Sequence, residues 1–271
     1  MLAAVLFAAY AIPYWVRART LARRGRPVPR WRIACFGSGI AVLAVAVSPP
    51  VLDLAGSTFV AHMTEHLLIA DVAAVLLVLG LTGPVLAPLL RVRAIDRLRA
   101  LGHPVPAFLL WAANLYLWHL SWAYEGALGN DLVHAVQHLL FLLVGINLWM
   151  PLFGPFPKPE WFGTAAQLGY VVVVRLTGAV LANVFVWSGT PFYGWYGDLA
   201  DQSAAGAVMM VEESLVTVAL FGWLFMKWMR EGDERQEILE LAGARGIELD
   251  ERRVARAVAA GRGAELRRRL V

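Results

Sequence analysis

The sequence predicts an all-α, polytopic membrane protein of seven transmembrane helices, with the amino terminus outside and the carboxyl terminus in the cytoplasm. Three observations predict it. Hydrophobic residues make up 59% of the chain and charged residues 16%, too apolar a balance for a water-soluble globular domain of 271 residues. The apolar residues come in runs rather than in one-sided stripes, and the basic residues fall in every second loop between those runs.

A helix crosses the hydrocarbon core in about 20 residues. Runs of that order lie near Met1 to Val16, Trp31 to Val47, Ser57 to Leu79, Val105 to Tyr124, Leu132 to Leu152, Ala165 to Trp187 and Ser203 to Trp228. The first run lacks a preceding basic region and a small-residue cleavage site before Arg17, so it is expected to be a retained span rather than a signal peptide; Pro13 makes a tilted or partly interfacial placement its alternative. The single cysteine, Cys35, excludes an internal disulfide and paired-thiolate metal motifs and is expected to pack within a span.

Orientation follows from the arginines. Arg17, Arg19, Arg23, Arg24, Arg26, Arg30 and Arg32 cluster between the first two runs, Arg91, Arg93, Arg97 and Arg99 between the third and fourth, and Lys158, Lys227 and Arg230 mark the same side further on. The opposite segments, Ser48 to Gly56, Glu125 to Asp131 and Ser188 to Gln202, contain neither lysine nor arginine. The basic side is therefore the cytoplasmic one. The net charge of +4 resides in these loops and the tail, as topology requires, and gives no support for nucleic-acid binding.

Two domains are expected: a transmembrane domain over residues 1–230 and a cytoplasmic charged amphipathic tail over 231–271. In the tail, Ile238, Leu241 and Ala242 can form one short apolar face and Val254, Ala255, Val258 and Ala259 another. These suit short helices resting on the lipid surface or a partner, with a solvated, partly disordered tail as the alternative.

The chemistry lies in the histidines. Two stretches, Ala61 to Ala70 (AHMTEHLLIA) and Val133 to Leu142 (VHAVQHLLFL), each carry a histidine pair four residues apart, His62 with His66 and His134 with His138. On a helix that spacing places both rings on one face. Both stretches begin spans that start outside, and His119 lies near the outer end of the intervening span. By helix rise the five rings share one slab within about 10 Å of the outer surface. Only His103 falls elsewhere, in a cytoplasmic loop. Polar side chains in the bilayer are costly and face the bundle interior or a cavity. Neutral imidazoles suit copper, zinc, iron and nickel; hydrogen bonds between helices are the non-metal alternative.

Around them, Glu65 and Gln137 are placed to orient a ligand histidine across helices, though not the neighbour on their own helix. Met63 is at the depth to offer a soft ligand for Cu(I), against the alternative of plain packing. The base-free outer rim with Glu125, Asp131, Asp198 and Asp201 attracts cations. A deeper cluster pairs Arg175 of the sixth run with Glu212 or Glu213 of the seventh as a buried ion pair, the alternative being a proton or ion path including Asp71 and Asn114.

Taken together, HMTEHLL at His62 to Leu68, LYLWHLSWAYEGAL at Leu115 to Leu128, LVHAVQHLLFLLVG at Leu132 to Gly145 and ADQSAAGAVMM at Ala200 to Met210 resemble the CtaG-like family of cytochrome c oxidase assembly factors, over roughly Trp31 to Arg230. The resemblance implies a seven-span protein of the bacterial cytoplasmic membrane that assists maturation of haem-copper oxidase by handling copper. His62 with His66 and His134 with His138 match the family's histidine pairs, His119 the histidine after its tryptophan, and Asp201 with Gln202 the acidic-Gln opening of its last span. The chain has Ser121 where the family often has proline, and Val211 to Ser214 where the last span often continues with tryptophan, proline and glycine.

The expectation is a non-enzymatic assembly factor. Copper, as Cu(I), is held by His62, His66, His134 and His138 with His119 as alternate ligand or gate, then passed to cytochrome c oxidase subunits or to an extracytoplasmic copper protein. Competing readings are a haem-binding electron-transfer protein with histidines on separate spans as axial ligands, a zinc-dependent hydrolase with Glu65 beside three histidines, and a non-metal scaffold for oxidase assembly.

Overall fold

The computed structural model describes residues 2–259 and 261–270; Met1, at the head of the first apolar run, lies outside the described residues. The described residues are helical with no strand. The helices are α1 (Leu2–Arg23), α2 (Arg30–Ala46), α3 (Pro49–Ser57), α4 (Phe59–Leu67), α5 (Ala74–Gly80), α6 (Gly83–Leu86), α7 (Arg93–Leu98), α8 (Pro104–Trp118), α9 (Ser121–Leu128), α10 (Asp131–Phe153), α11 (Thr164–Trp187), α12 (Leu199–Ala244), α13 (Glu251–Ala259) and α14 (Gly263–Leu270). Among the described residues four helical stretches are long and apolar enough to cross a membrane: Phe59–Gly80, Asp131–Phe153, Thr164–Trp187 and Leu199–Ala244. Taking α2 and α3 as one span bent by 52° raises the number to five.

The chain divides into two compact units, Met1–Pro157 with Leu176–Glu213, and Lys158–Arg175 with Ser214–Val271. The first holds the histidines. In it α2 packs along α5, α10 packs against α8 and α5, and α3 packs against α4. One apolar core, including Phe36, Leu43, Ala73, Leu77, Phe141 and Leu142, fills the space between α2, α5 and α10. A second joins Phe59 and Met63 of α4 to Leu181, Ala182, Phe185, Ala205 and Met209, so the ends of α11 and α12 wall the histidine-bearing helix.

The segment expected to be an outer loop at Ser48 to Gly56 is the helix α3. Pro49 and Pro50 occupy its first turn, where a missing N–H costs nothing, while the same ring cannot continue α2. Similarly, α8 stops at Trp118 and α9 begins at Ser121, with the extended Leu120 between them.

The span Phe59–Gly80 contains a π-helical turn at Leu68–Ala73, immediately after His66. Such a turn inserts extra backbone and rotates everything beyond it. Gly145 of α10 lies against this turn: a Cβ there would collide with the Ala70 carbonyl oxygen and sit 3.1 Å from the Ala74 Cβ. The C-terminus of α5 is closed by Arg32, whose Nη1 donates to the carbonyls of Leu79 at 2.9 Å and Leu81 at 2.7 Å, and by the Tyr14 hydroxyl, which donates to Gly80 at 3.1 Å. A cation at exposed helix carbonyls is the favourable placement.

In the second unit, α12 runs unbroken past Glu231, where the expected tail begins, and ends at Ala244. Gly246 then adopts φ +68, and Ile247 donates to the Ala242 carbonyl at 2.9 Å. The left-handed residue turns the chain back, as at many helix ends. Ile238, Ala242, Val254, Val258 and Leu270 bury one another, so the apolar faces of α13 and α14 are covered by the last turns of α12.

Candidate metal centre

The site starts from two helix beginnings. Asn130 caps α10, its side-chain oxygen accepting from Leu132 N at 3.0 Å and Val133 N at 3.2 Å. The helix α4 has Thr58 before its first residue without a side-chain cap. Asp201, distant in sequence, fills that role: its carboxylate accepts from Phe59 N at 2.5 Å and Val60 N at 3.0 Å. A carboxylate at a helix N-terminus satisfies orphan donors and opposes the helix dipole. Asp201→Ala is therefore expected to destabilise the folded chain by ~1 kcal/mol, read as a lowered midpoint in thermal unfolding of purified protein; an unchanged midpoint would show that the cap contributes nothing.

From those starts the histidine pairs face each other. Ring centroids of His62 and His66 on α4 are 4.3 Å apart, and those of His134 and His138 on α10 are 4.2 Å apart. Across the helices, His62 stands 5.2 Å from His134, and His66 stands 5.4 Å from His138 and 6.5 Å from His134. One nitrogen from each of His62, His66 and His134 lies within 4.8 Å of the others. His62 and His66 are buried, at 1% and 5% exposure.

The nitrogens are also chemically available. Among the described residues, Nε2 of His62, His134 and His138 and both ring nitrogens of His66 are buried without a hydrogen-bond partner. A buried polar atom left unpaired costs about 1–3 kcal/mol, and several such atoms converging on one point call for a cation or a proton there.

His62 is oriented from behind. Its Nδ1 is 3.0 Å from the Tyr196 hydroxyl, which donates to the Ala55 carbonyl at 2.8 Å. With the tyrosine proton directed at Ala55, His62 Nδ1–H donates to the tyrosine oxygen, leaving the Nε2 lone pair aimed into the site. Burial pushes the Tyr196 hydroxyl above the usual tyrosine range, so it stays protonated through neutral and mildly alkaline pH. For any metal ion held at His62 Nε2, Tyr196→Phe is expected to weaken binding by about 10–100-fold, measured by chelator competition; wild-type affinity in this variant would show that Tyr196 does not orient the ligand.

The segment carrying Tyr196 is strapped down. Tyr193 stacks on Tyr124 at 3.9 Å and donates to the His119 carbonyl at 2.9 Å, and Gly194 N donates to Glu125 at 2.8 Å. Gln202 accepts from Phe192 N at 2.7 Å. Asp201 and Gln202 are thus neighbours with separate tasks, one holding α4 and the other holding this segment.

Other expected residues fall as follows. Glu65 is fully buried, and its Oε1 lies 3.4 Å from His138 Nε2 across the helix pair. Glu65, His134 and His138 also offer atoms within 4.8 Å of one another. Gln137 is fully buried with its amide unpartnered among the described residues. Met63 packs in the apolar core around Phe59. His119 joins neither three-residue set: its Nδ1 donates to the Leu115 carbonyl at 2.7 Å, and its ring lies against Tyr124, Phe141 and Phe185. Arg175 is buried on α11; on α12 Glu213 is buried and Glu212 partly so.

A helical bundle with inward-facing histidine pairs on two spans defines a membrane protein with a candidate centre for a soft or borderline ion. The chain belongs to the cytochrome c oxidase caa3 assembly factor family (Caa3_CtaG), which matches residues 12–231. It is similar to uncharacterized proteins of Mycobacterium bovis and Mycobacterium tuberculosis, each 25% identical over 250 residues and matched over 82% of this chain. An uncharacterized protein of Mycobacterium leprae is 24% identical over 257 residues, 83% of this chain. The chain spans 37–38% of the length of these relatives. No solved structure matches.

Proposed function

We propose that this chain carries copper for the maturation of cytochrome c oxidase. The reading is supported by one observation above the rest: three imidazoles from two helices, His62, His66 and His134, converge within 4.8 Å with their Nε2 atoms unpartnered among the described residues. Bonds of about 2.0–2.1 Å from imidazole nitrogen to a metal require such nitrogens to lie roughly 3.4 Å apart, so the set tightens slightly on an ion. An all-imidazole set suits copper, and one without charge suits its monovalent form, Cu(I). His138 and Glu65 stand beside it, and His119 takes the role of an outer ligand during loading or release.

The reading includes seven crossings: the five long stretches, α1, and the α8–α9 pair. The amino terminus is outside, and the histidine slab faces the extracytoplasmic side of a bacterial cytoplasmic membrane, where oxidase subunits or a soluble copper protein can accept the ion. The protein acts as a carrier, not a catalyst.

The test is genetic. In cells lacking the protein, complementation with the intact chain is expected to restore copper content and activity of the oxidase, and His66→Ala or His134→Ala is expected to leave the oxidase copper-deficient with normal haem. Full copper loading in either variant, with the variant at wild-type abundance, would overturn the reading.

A further inference from the structure

Beyond the all-imidazole set, Glu65, His134 and His138 form a second group of three ligand atoms, again within 4.8 Å of one another. The two sets share His134 and differ in donor chemistry. The first is neutral; the second contains a carboxylate that is 0% exposed, with neither oxygen hydrogen-bonded among the described residues. Its oxygen faces His138 Nε2 at 3.4 Å, close enough for both to grip one ion. The sets adjoin, His66 of the first standing 5.4 Å from His138 of the second by ring centroid.

We propose that the chain has two mutually exclusive cation positions hinged on His134: the neutral one for a monovalent soft ion, and a second at Glu65, His134 and His138 for a divalent ion such as Cu(II) or Zn(II). A carboxylate with two imidazoles suits a harder, doubly charged ion and neutralises half its charge in a low-dielectric setting. A neutral His134 presents one lone pair, so it serves one position at a time. A divalent ion at the second position therefore excludes Cu(I) from the first, and Cu(I) at the first excludes a divalent ion from the second. The proposal rests on the copper reading only for the identity of the monovalent ion.

Cobalt(II) is the probe, because its visible ligand-field bands report binding on the intact, detergent-solubilised chain. Wild-type protein is expected to bind one Co(II), and Glu65→Gln and His138→Ala to weaken it by about 100-fold while weakening Cu(I) by less than about tenfold. His62→Ala is expected to show the reverse ranking, and Cu(I) to displace Co(II) one for one. Wild-type Co(II) affinity in both Glu65→Gln and His138→Ala, or simultaneous retention of one Co(II) and one Cu(I), would overturn the proposal. Cu(I) binding without any Co(II) binding would overturn it and leave the copper reading standing. Co(II) binding that depends on Glu65, without Cu(I) binding, would overturn the copper reading and support the divalent position. Thermal unfolding of each variant separates loss of ligand from loss of fold.

Discussion

Replacing His134 by alanine is expected to lower the affinity of the purified chain for Cu(I) by at least about 100-fold, the upper end of what losing a mere supporting contact costs. The size of the effect follows from geometry. His62 and His66 both belong to α4, and His134 is the residue that closes the set from α10. Without it, two imidazoles one turn apart on a single helix remain, and the clamp between helices is lost. His119→Ala is the matched comparison, because His119 belongs to neither set although its Nε2 too is buried without a partner among the described residues. Its affinity is expected to fall by less than about tenfold. Chelator competition under anaerobic, reducing conditions measures both; equal losses in the two variants would show that the site is not the one described.

The second large effect is expected at Gly145. Alanine is the better helix former by about 1 kcal/mol, so Gly145→Ala would stabilise α10 in isolation. In the folded chain its Cβ meets the Ala70 carbonyl and stands 3.0 Å from the Ala70 carbonyl carbon. Both are backbone atoms of the π-helical turn, with no rotamer to move aside. Overpacking of this kind costs about 1–3 kcal/mol and sometimes more, so the clash outweighs the propensity gain. The variant is expected to unfold at lower temperature and to bind Cu(I) more weakly, because α10 must back away from α4 and carry His134 with it. A melting temperature at or above wild type would contradict the packing described here.

Much of this arrangement is legible in the residues. The i, i+4 histidine pairs declare a shared helix face, and their positions at the starts of two apolar runs place them at one depth. That Glu65 can reach a histidine of the other helix follows from the 100° step between neighbours, and its Oε1 lies 3.4 Å from His138 Nε2. The long apolar runs from Phe59, Asp131, Thr164 and Leu199 are likewise plain in hydropathy.

Other features are hidden for physical reasons. The π-helical turn at Leu68–Ala73 has no proline or glycine to mark it, and Gly145, which lies against it, is far away in the sequence. Asp201 resembles any rim carboxylate until the fold sets it at the start of α4. Tyr196 gives no sequence signal of a link to His62, because tyrosines are common at membrane interfaces and this contact joins residues far apart in the chain. The dipeptide Pro49–Pro50 was a readable signal for a helix start that hydropathy alone passes over.

The central claim, that His62, His66 and His134 hold one Cu(I), is tested most directly by X-ray absorption at the copper edge on the full chain loaded with one equivalent of Cu(I). The account predicts a three-coordinate first shell of nitrogen at about 2.0 Å with the outer-shell scattering of imidazole, and loss of that pattern in His134→Ala. A sulfur-dominated shell, from Met63 or Cys35, or an imidazole shell that survives in His134→Ala, would contradict it.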